Sequence, residues 1–505
     1  TGCNPLPGPV PMSAADSRTF DEADTLRQAP PGRGLFCNRT LNLRAIRAIG
    51  YDMDYTLIHY NVHKWEQKAY AYLKQKLEEL GWPVEGLEYA PELTLRGLII
   101  DTKLGNLVKA DRFGYIKRAF HGTRALSFEE QRSAYAKAWV DLAEPRWVFL
   151  NTFFSLSEAC MYAQLVDRFD EVRFGQVLGY LDLVERVHRA LDEAHAEGRL
   201  KQEILEHPEP YVELDEEAPL ALLDQRESGK RLILITNSEW SYTNRMMSYA
   251  YDRFLPKSMS WRELFEVIIV LARKPEFFSG RGPLFEVVND AGLLAPVVGG
   301  LRKGGVYVGG NGTLVEQYFG LSGSEILYVG DHLYTDVRIS KDVLRWRTAF
   351  VLRELEDELT GLDAVRADQE RLERLMAEKE KVERAHSQTR LRIQRMNRQY
   401  GPPETMTLAA LETRLSLLRS ELDRLDGLIA PLAASLSRVF NAAWGLLMRT
   451  GSDKSHLARQ VERFADIYMS RVSNFLYETP FAYLRAPRGS LPHDELNLRR
   501  SVEGA

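Results

Sequence analysis

The sequence predicts an α/β fold in which a parallel sheet carries a large inserted cap and a long antiparallel helical hairpin. Three observations support this reading. Short aliphatic runs closed by polar residues recur at "IRAIGYD" (46–52), "RLILITNS" (231–238), "FEVIIVLARK" (265–274), "EILYVGDH" (325–332) and "RTAFVL" (347–352). Such runs, separated by helical stretches, are the pattern of buried parallel strands. Roughly 180 residues separate the first run from the second, far more than a βαβ crossover needs. Finally, an apolar repeat with 4-3-4-3 spacing runs from Leu408 to Val439, the seam of a coiled coil.

Taken in chain order, residues 1–40 open with "TGCNPLPGPVPMSAADSRTF", rich in Pro and Gly and without apolar periodicity, and are expected to form a disordered arm. Residues 41–60 and 225–352 hold the five runs and form the core. Residues 61–224 form the cap, with helical patterns such as "KWEQKAYAYLKQKLEEL" and a strand-like "LRGLIIDTKLGNLVKADRFGYIKRAF". From 353 to 440 the composition turns to Glu, Arg, Leu and Gln. A looser seam (Leu355 to Met396) precedes the regular one, and "YGPPET" (400–405) separates them because its prolines cannot continue a helix. An antiparallel hairpin follows, with Pro431 as a kink point. Residues 441–505 are expected to pack back on the core.

Composition narrows the function. The 505 residues are 45% hydrophobic and 27% charged, with a net charge of −5, so no global basic field draws nucleic acid or an anionic membrane. No apolar run reaches 18 residues, so no transmembrane helix is expected. Three cysteines without a CxxC pair point to a reducing, cytoplasmic setting.

The strand ends carry the chemistry. Asp52 and Asp54 in "GYDMDYTL" lie on alternate residues and share one side of an extended chain. Adjacent carboxylates repel unless positive charge lies beside them, and an all-oxygen ligand set suits Mg²⁺. Asp331 and Asp336 in "GDHLYTD" add carboxylates at a second strand end. Thr236, Asn237 and Ser238 offer hydroxyls and backbone donors at a third, and Lys274 in "ARKPEFF" brings a compact cation at a fourth. Together these are the parts of phosphoryl transfer through an aspartyl-phosphate. Asp52 is the nucleophile, Asp54 the proton donor and then acceptor, and Lys274 the clamp on the phosphoryl group.

"DMDYTL", "TNS", "RKPEFF" and "GDHLYTD" resemble the four motifs of the haloacid dehalogenase superfamily, and more narrowly its cytosolic purine 5'-nucleotidase family, specific for IMP and GMP. "RGLIIDTKLGNLVKADRFG", "FLNTFF" and "YVGGNGTLVEQYFG" are similar to family sequence too. The resemblance implies a Rossmann-like haloacid dehalogenase core. It also implies Mg²⁺ held by Asp52, the Asp54 carbonyl and Asp331, with Asp336 behind, and phosphate contacts from Thr236, Asn237, Ser238 and Lys274. In the cap it implies purine stacking on Phe154 and substrate contacts from Asn151, Asp192, His195 and Lys201. His188 stands where the family has a base-contacting arginine. Asn151, Tyr334, Gln460 and Arg463 resemble part of a nucleotide effector site. Asp141 and Asp342 replace basic residues there, which predicts weak or no activation by ATP.

The expected function is Mg²⁺-dependent hydrolysis of purine nucleoside 5'-monophosphates, compatible with transfer to a nucleoside acceptor, by a homo-oligomer (dimer or tetramer). A phosphatase for another phosphomonoester, or a scaffold acting through the hairpin, are the alternatives.

Overall fold

The computed structural model describes residues 29–436 and 439–489. Seven parallel strands form the centre of a ten-stranded sheet: β1 (Ala48–Tyr51), β2 (Arg231–Ile235), β3 (Val267–Val270), β4 (Gly305–Gly309), β5 (Ile326–Gly330), β6 (Arg347–Val351) and β7 (Ile467–Met469). Their spatial order is β7-β6-β5-β1-β2-β3-β4. The antiparallel strand Phe36–Cys37 lies beyond β7, and Leu284–Val287 with Leu294–Pro296 lie beyond β4.

The aliphatic runs become strands because both faces of the sheet are covered. Leu232, Ile233, Leu234 and Ile235 are consecutive and all buried, each contributing about 1.5–3 kcal/mol of burial. The strand order reverses at β1, which lies between β5 and β2. In open α/β sheets the crevice beyond the carboxyl ends at such a reversal is where ligands bind.

The cap contributes a five-stranded antiparallel sheet, ordered Arg124–Ala125, Ile116–His121, Asn106–Ala110, Ile99–Asp101 and Trp147–Phe149. Helices Val62–Glu79, Leu156–Glu171 and Tyr180–Ala196 pack together beside it. Cap and core meet through an aromatic cluster: Tyr55 lies 5.1 Å from Tyr60, 4.9 Å from Phe153 and 5.0 Å from Phe154, and Trp65 closes on both Tyr60 and Phe154.

Two expectations are corrected. Residues 29–40 are not a disordered arm: Phe36 and Cys37 pair with β7, and Arg33 binds Asn474, Ser473 and Glu217. The chain there gains sheet hydrogen bonds and an ion pair that composition does not reveal. Residues 1–28 of that arm lie outside the described residues, as do 437–438 and 490–505. The hairpin also begins later than residue 353. Glu354–Ala364 is a separate helix whose Leu355 and Glu358 are buried, with Val365 at the break. The hairpin proper is Arg366–Arg398 and Leu408–Leu436, helices that pack on each other.

In the second helix every seam position from Leu408 to Leu436 is at least half-buried, with Leu411, Leu425, Ile429 and Leu436 fully so. The first helix puts Lys379 and Thr389 in its seam, which explains why its pattern is looser: Lys379 pairs with Asp426 at 2.5 Å and the Thr389 hydroxyl donates to the Ala385 carbonyl. Among the described residues, no helix is long and apolar enough to cross a membrane. Cys37 and Cys160 are both unpaired.

Candidate active site

The site is built from the strand ends around β1. Asp52 follows β1, and its amide donates to the Val329 carbonyl of β5 at 2.9 Å, which ties the loop to the neighbouring strand. Its carboxylate is buried, with Oδ1 accepting from the Met53 amide at 2.7 Å and lying 2.8 Å from Lys274 Nζ. Lys274 Nζ also donates to Asp336 Oδ1 at 2.7 Å and to the Tyr328 hydroxyl at 3.2 Å. Tyr328 reaches that position because Gly50 faces it across β1. A Cβ on Gly50 would stand 2.7 Å from the Tyr328 ring.

Two loops brace the lysine. After β2, Asn237 accepts from the Lys274 amide through Oδ1 (2.6 Å) and donates to the Lys274 carbonyl through Nδ2 (3.1 Å). The amides of Leu271 and Ala272 donate to the carbonyls of Ser238 and Thr236. The loop bends sharply, with Leu271 and Arg273 in the left-handed region, a conformation tolerated when the surroundings over-determine it.

Asp331 comes from the loop after β5, and Asp336 from the helical turn Leu333–Arg338 that follows it. The neutral His332 imidazole caps the following helix, its Nδ1 accepting from the amides of Tyr334 and Thr335 at 3.2 Å. Burial pushes its pKa down to about 4. Asp336 is completely buried, and its Oδ2 accepts from the His332 amide at 3.1 Å. Gly330 makes room for it, since a Cβ there would lie 2.5 Å from Asp336 Oδ2.

Ligand oxygens of Asp52, Asp331 and Asp336 lie within 4.8 Å of one another. Both Asp336 oxygens are occupied, whereas Asp331 Oδ2 is buried and has no partner. Burial, then the fields of Asp52 and Asp336, hold the Asp331 carboxyl well above the usual carboxylate range. Burial likewise pushes Asp52 up to about 7 against the pull of Lys274. Fully ionised, three carboxylates against one ammonium would leave the cluster two negative charges in excess, and the raised carboxyls show how costly that surplus is without a further cation. That surplus and the orphan oxygen fit a hard dication with oxygen ligands.

Asp54 lies apart from the triad. Its Oδ1 accepts from the Tyr60 hydroxyl at 2.6 Å and its Oδ2 from the Ser238 hydroxyl at 2.5 Å. The Asp54 carboxylate is thus turned toward Tyr60 and Ser238 and is not one of the three clustered carboxylates. Lys201 from the cap donates to Ser238 Oγ at 3.0 Å and lies over the Tyr242 ring. Thr236 is fully buried and accepts from the Ser238 amide through Oγ1.

From residue 35 to residue 496 the chain matches the sequence model of the 5' nucleotidase family. It belongs to that family. This 5'-nucleotidase family member is accordingly a phosphoric monoester hydrolase. A 5'-nucleotidase domain-containing protein of Dictyostelium discoideum is 26% identical over 483 residues, covering 91% of this chain and 74% of that protein. Human 5'-nucleotidase domain-containing protein 2 is 27% identical over 474 residues, covering 89% of this chain and 83% of that protein. Among solved structures, a haloacid dehalogenase-like family hydrolase from Xanthomonas campestris aligns with 61% of this chain and 82% of its own, at 11% identity and a TM-score of 0.24. An archaeal β-phosphoglucomutase from Pyrococcus aligns with 61% of this chain and 86% of its own, at 11% identity and a TM-score of 0.29. Scores that low add nothing to the strand order above.

The cap positions of this family member are dispersed. Phe154 is half-buried, in contact with Tyr55 and with its centroid 6.4 Å from the His195 ring. His195 Nε2 is buried without a partner. His188 and Asp192 sit one turn apart on an exposed helix face, 3.5 Å from each other. His188 also binds Glu158, which raises its pKa to about 9. Asn151 is half-buried in the loop after Trp147–Phe149. In the effector set, Arg338 lies over both Tyr334 and Phe464, Arg463 lies over Phe464, and Gln460 binds His456. Asp342 pairs with Arg338, and Asp141 caps its own turn through the Ala143 amide.

Sequence reasoning missed Tyr60, Tyr328 and Arg96. Tyr328 left one trace, a hydroxyl inside an otherwise aliphatic run. Arg96 is fully buried, paired with Glu354, stacked on Phe153 and bonded to the Asp331 carbonyl at 3.1 Å. Nothing in "LRGLII" marks it.

Proposed function

We propose that the chain is a Mg²⁺-dependent, cytoplasmic 5'-nucleotidase that hydrolyses purine nucleoside 5'-monophosphates through an aspartyl-phosphate on Asp52. The supporting observation is the pairing of Asp52 Oδ1 with Lys274 Nζ at 2.8 Å inside a buried triad that keeps one carboxylate oxygen unpartnered. Asp52, the Asp54 carbonyl and Asp331 would hold the ion, with Asp336 behind. Bound there, Mg²⁺ supplies charge neutralisation for the phosphoryl oxygens and keeps Asp52 ionised near neutral pH.

The residues divide the reaction. An Asp52 oxygen attacks phosphorus, and the P–O bond to the nucleoside breaks as Asp54 gives its proton to the leaving 5'-oxygen. Water then attacks the phosphoaspartate, Asp54 takes its proton, and inorganic phosphate leaves with Asp52 restored. Tyr60 and Ser238 hold Asp54 in one orientation throughout. Lys274, braced by the Asn237 side chain, and the Thr236–Ser238 loop bind the phosphoryl group.

The purine reading rests on Phe154, an aromatic surface in contact with the residue that follows Asp54. His188, kept protonated by Glu158, supplies the cationic donor that the family's arginine would. The test is a panel of nucleoside monophosphates and sugar phosphates with and without Mg²⁺. IMP or GMP should exceed pyrimidine and sugar phosphates by at least an order of magnitude. Equal rates on all would refute the purine assignment, and undiminished rates in chelator would refute the metal.

A further inference from the structure

Charge along the hairpin is segregated by distance from the body. Its distal half, residues 384–420, carries seven arginines against two glutamates, Glu404 and Glu412. Its proximal half, 366–383 with 421–436, carries nine acidic residues against six basic ones. A +5 tip therefore stands on a −3 base, in a chain whose net charge is −5.

The proximal charges pair within the hairpin, as Lys379 with Asp426 and Arg424 with Glu378 and Glu421. The distal ones mostly do not. Arg392 binds Glu404, but among the described residues Arg390, Arg395, Arg398, Arg414 and Arg419 meet no carboxylate. Arg392, Arg395 and Arg398 recur at spacing three, where like charges repel. The helix dipole offsets this for Arg395 and Arg398 in the last turn, but not for Arg390, Arg414 or Arg419. Apolar side chains remain exposed in both halves: Met376 and Leu428 near the Lys379–Asp426 contact, Leu391 and Leu417 toward the tip.

A partner that satisfies this pattern must be acidic where the hairpin is basic and the reverse, over about 50 Å for a 33-residue helix. A second hairpin running antiparallel does so at both ends at once. A parallel one sets tip against tip and is repelled. A long polyanion would be attracted at the tip and repelled along the base.

We infer that the hairpin is a self-association element. Two copies of this chain pair their hairpins antiparallel about a two-fold axis, the arginine-rich tip of each lying on the acidic base of the other.

The test is solution mass of the full chain by light scattering, at low and high salt. One variant reverses the tip (Arg390→Glu, Arg398→Glu, Arg419→Glu) and another reverses the base (Glu370→Arg, Glu373→Arg, Glu380→Arg). All six side chains are exposed, and circular dichroism checks that helicity is kept. Each variant alone should fall to half the wild-type mass, as should the wild type in high salt. Mixing the two should restore the wild-type mass, because an all-acidic hairpin then meets an all-basic one. A wild-type mass that either reversal leaves unchanged, a wild type already monomeric at micromolar concentration, or a mixture that stays dissociated would each overturn the inference. A monomer whose tip retains only heparin or RNA would overturn it in favour of a polyanion site.

Discussion

Replacing Lys274 with methionine isolates the charge at the centre of the site. The ammonium is buried, 2.8 Å from Asp52 Oδ1 and 2.7 Å from Asp336 Oδ1. Removing one partner of a buried pair costs roughly 3–5 kcal/mol, and two carboxylates lose their partner here. If half or more of that stabilisation persists in the transition state, kcat falls between about ten- and several thousand-fold, at 1.36 kcal/mol per tenfold. Mg²⁺ affinity should move the opposite way. Three carboxylates without an ammonium carry one more negative charge, so the Mg²⁺ midpoint for thermal stabilisation should drop. The assay pairs steady-state hydrolysis of IMP with a Mg²⁺ titration of the melting temperature. A variant that keeps more than a tenth of wild-type kcat, or binds Mg²⁺ more weakly, would refute the assignment of Lys274 as both phosphoryl clamp and counter-ion.

Other changes probe single contacts. Asp331→Asn removes a buried carboxylate oxygen that has no partner, so metal-free stability should rise by roughly 1–3 kcal/mol while the Mg²⁺-induced shift in melting temperature disappears. A preserved Mg²⁺ shift would exclude Asp331 as a ligand. Tyr60→Phe deletes one of two hydroxyls on Asp54, a hydrogen bond to a charged group worth about 1.5–3 kcal/mol. The expected result is a ten- to hundredfold loss in kcat with KM little changed, and a pure KM effect would contradict it. Glu66 offers a pH test away from the site. Burial, aided by Glu158, raises its pKa to about 8 although the Ser157 amide donates to it at 2.8 Å. Between the ordinary glutamate range and about 8 the folded protein thus holds a proton that the unfolded chain releases, so stability falls as pH rises across that window and levels off above about 8. Glu66→Gln should flatten that decline between about pH 5 and 8, and parallel melting curves for the two proteins across that window would refute it.

Much of the fold was legible because its strands bury both faces and so appear as uninterrupted aliphatic runs. Five of the seven parallel strands fall on such runs. The two that escaped explain the limit. "GGVYVGG" around β4 is so rich in glycine that it reads as a turn. β7 is only three residues long, "IYM", and joins the sheet from more than a hundred residues beyond β6. A pairing with that separation leaves no local trace. The same contrast holds in the site. Asp52 and Asp331 directly follow strands, and Lys274 and Asp336 stand only four and six residues beyond the ends of theirs, so strand position brings all four to one edge of the sheet. Tyr60, Arg96 and Lys201 reach the centre through the packing of the cap, which no periodicity records. The turning of Asp54 toward Tyr60 and Ser238 was hidden for the same reason, because alternation gives the side a residue faces but not its partner.

In the proposed reaction Asp52 carries the phosphoryl group. Quenching the enzyme during turnover of IMP and reducing it with borohydride converts a phosphoaspartate to homoserine, which peptide mass spectrometry locates by residue. Homoserine is expected at position 52, and none in enzyme given no substrate. Homoserine at Asp54, Asp331 or Asp336 instead, or turnover without a trapped product at position 52, would contradict it.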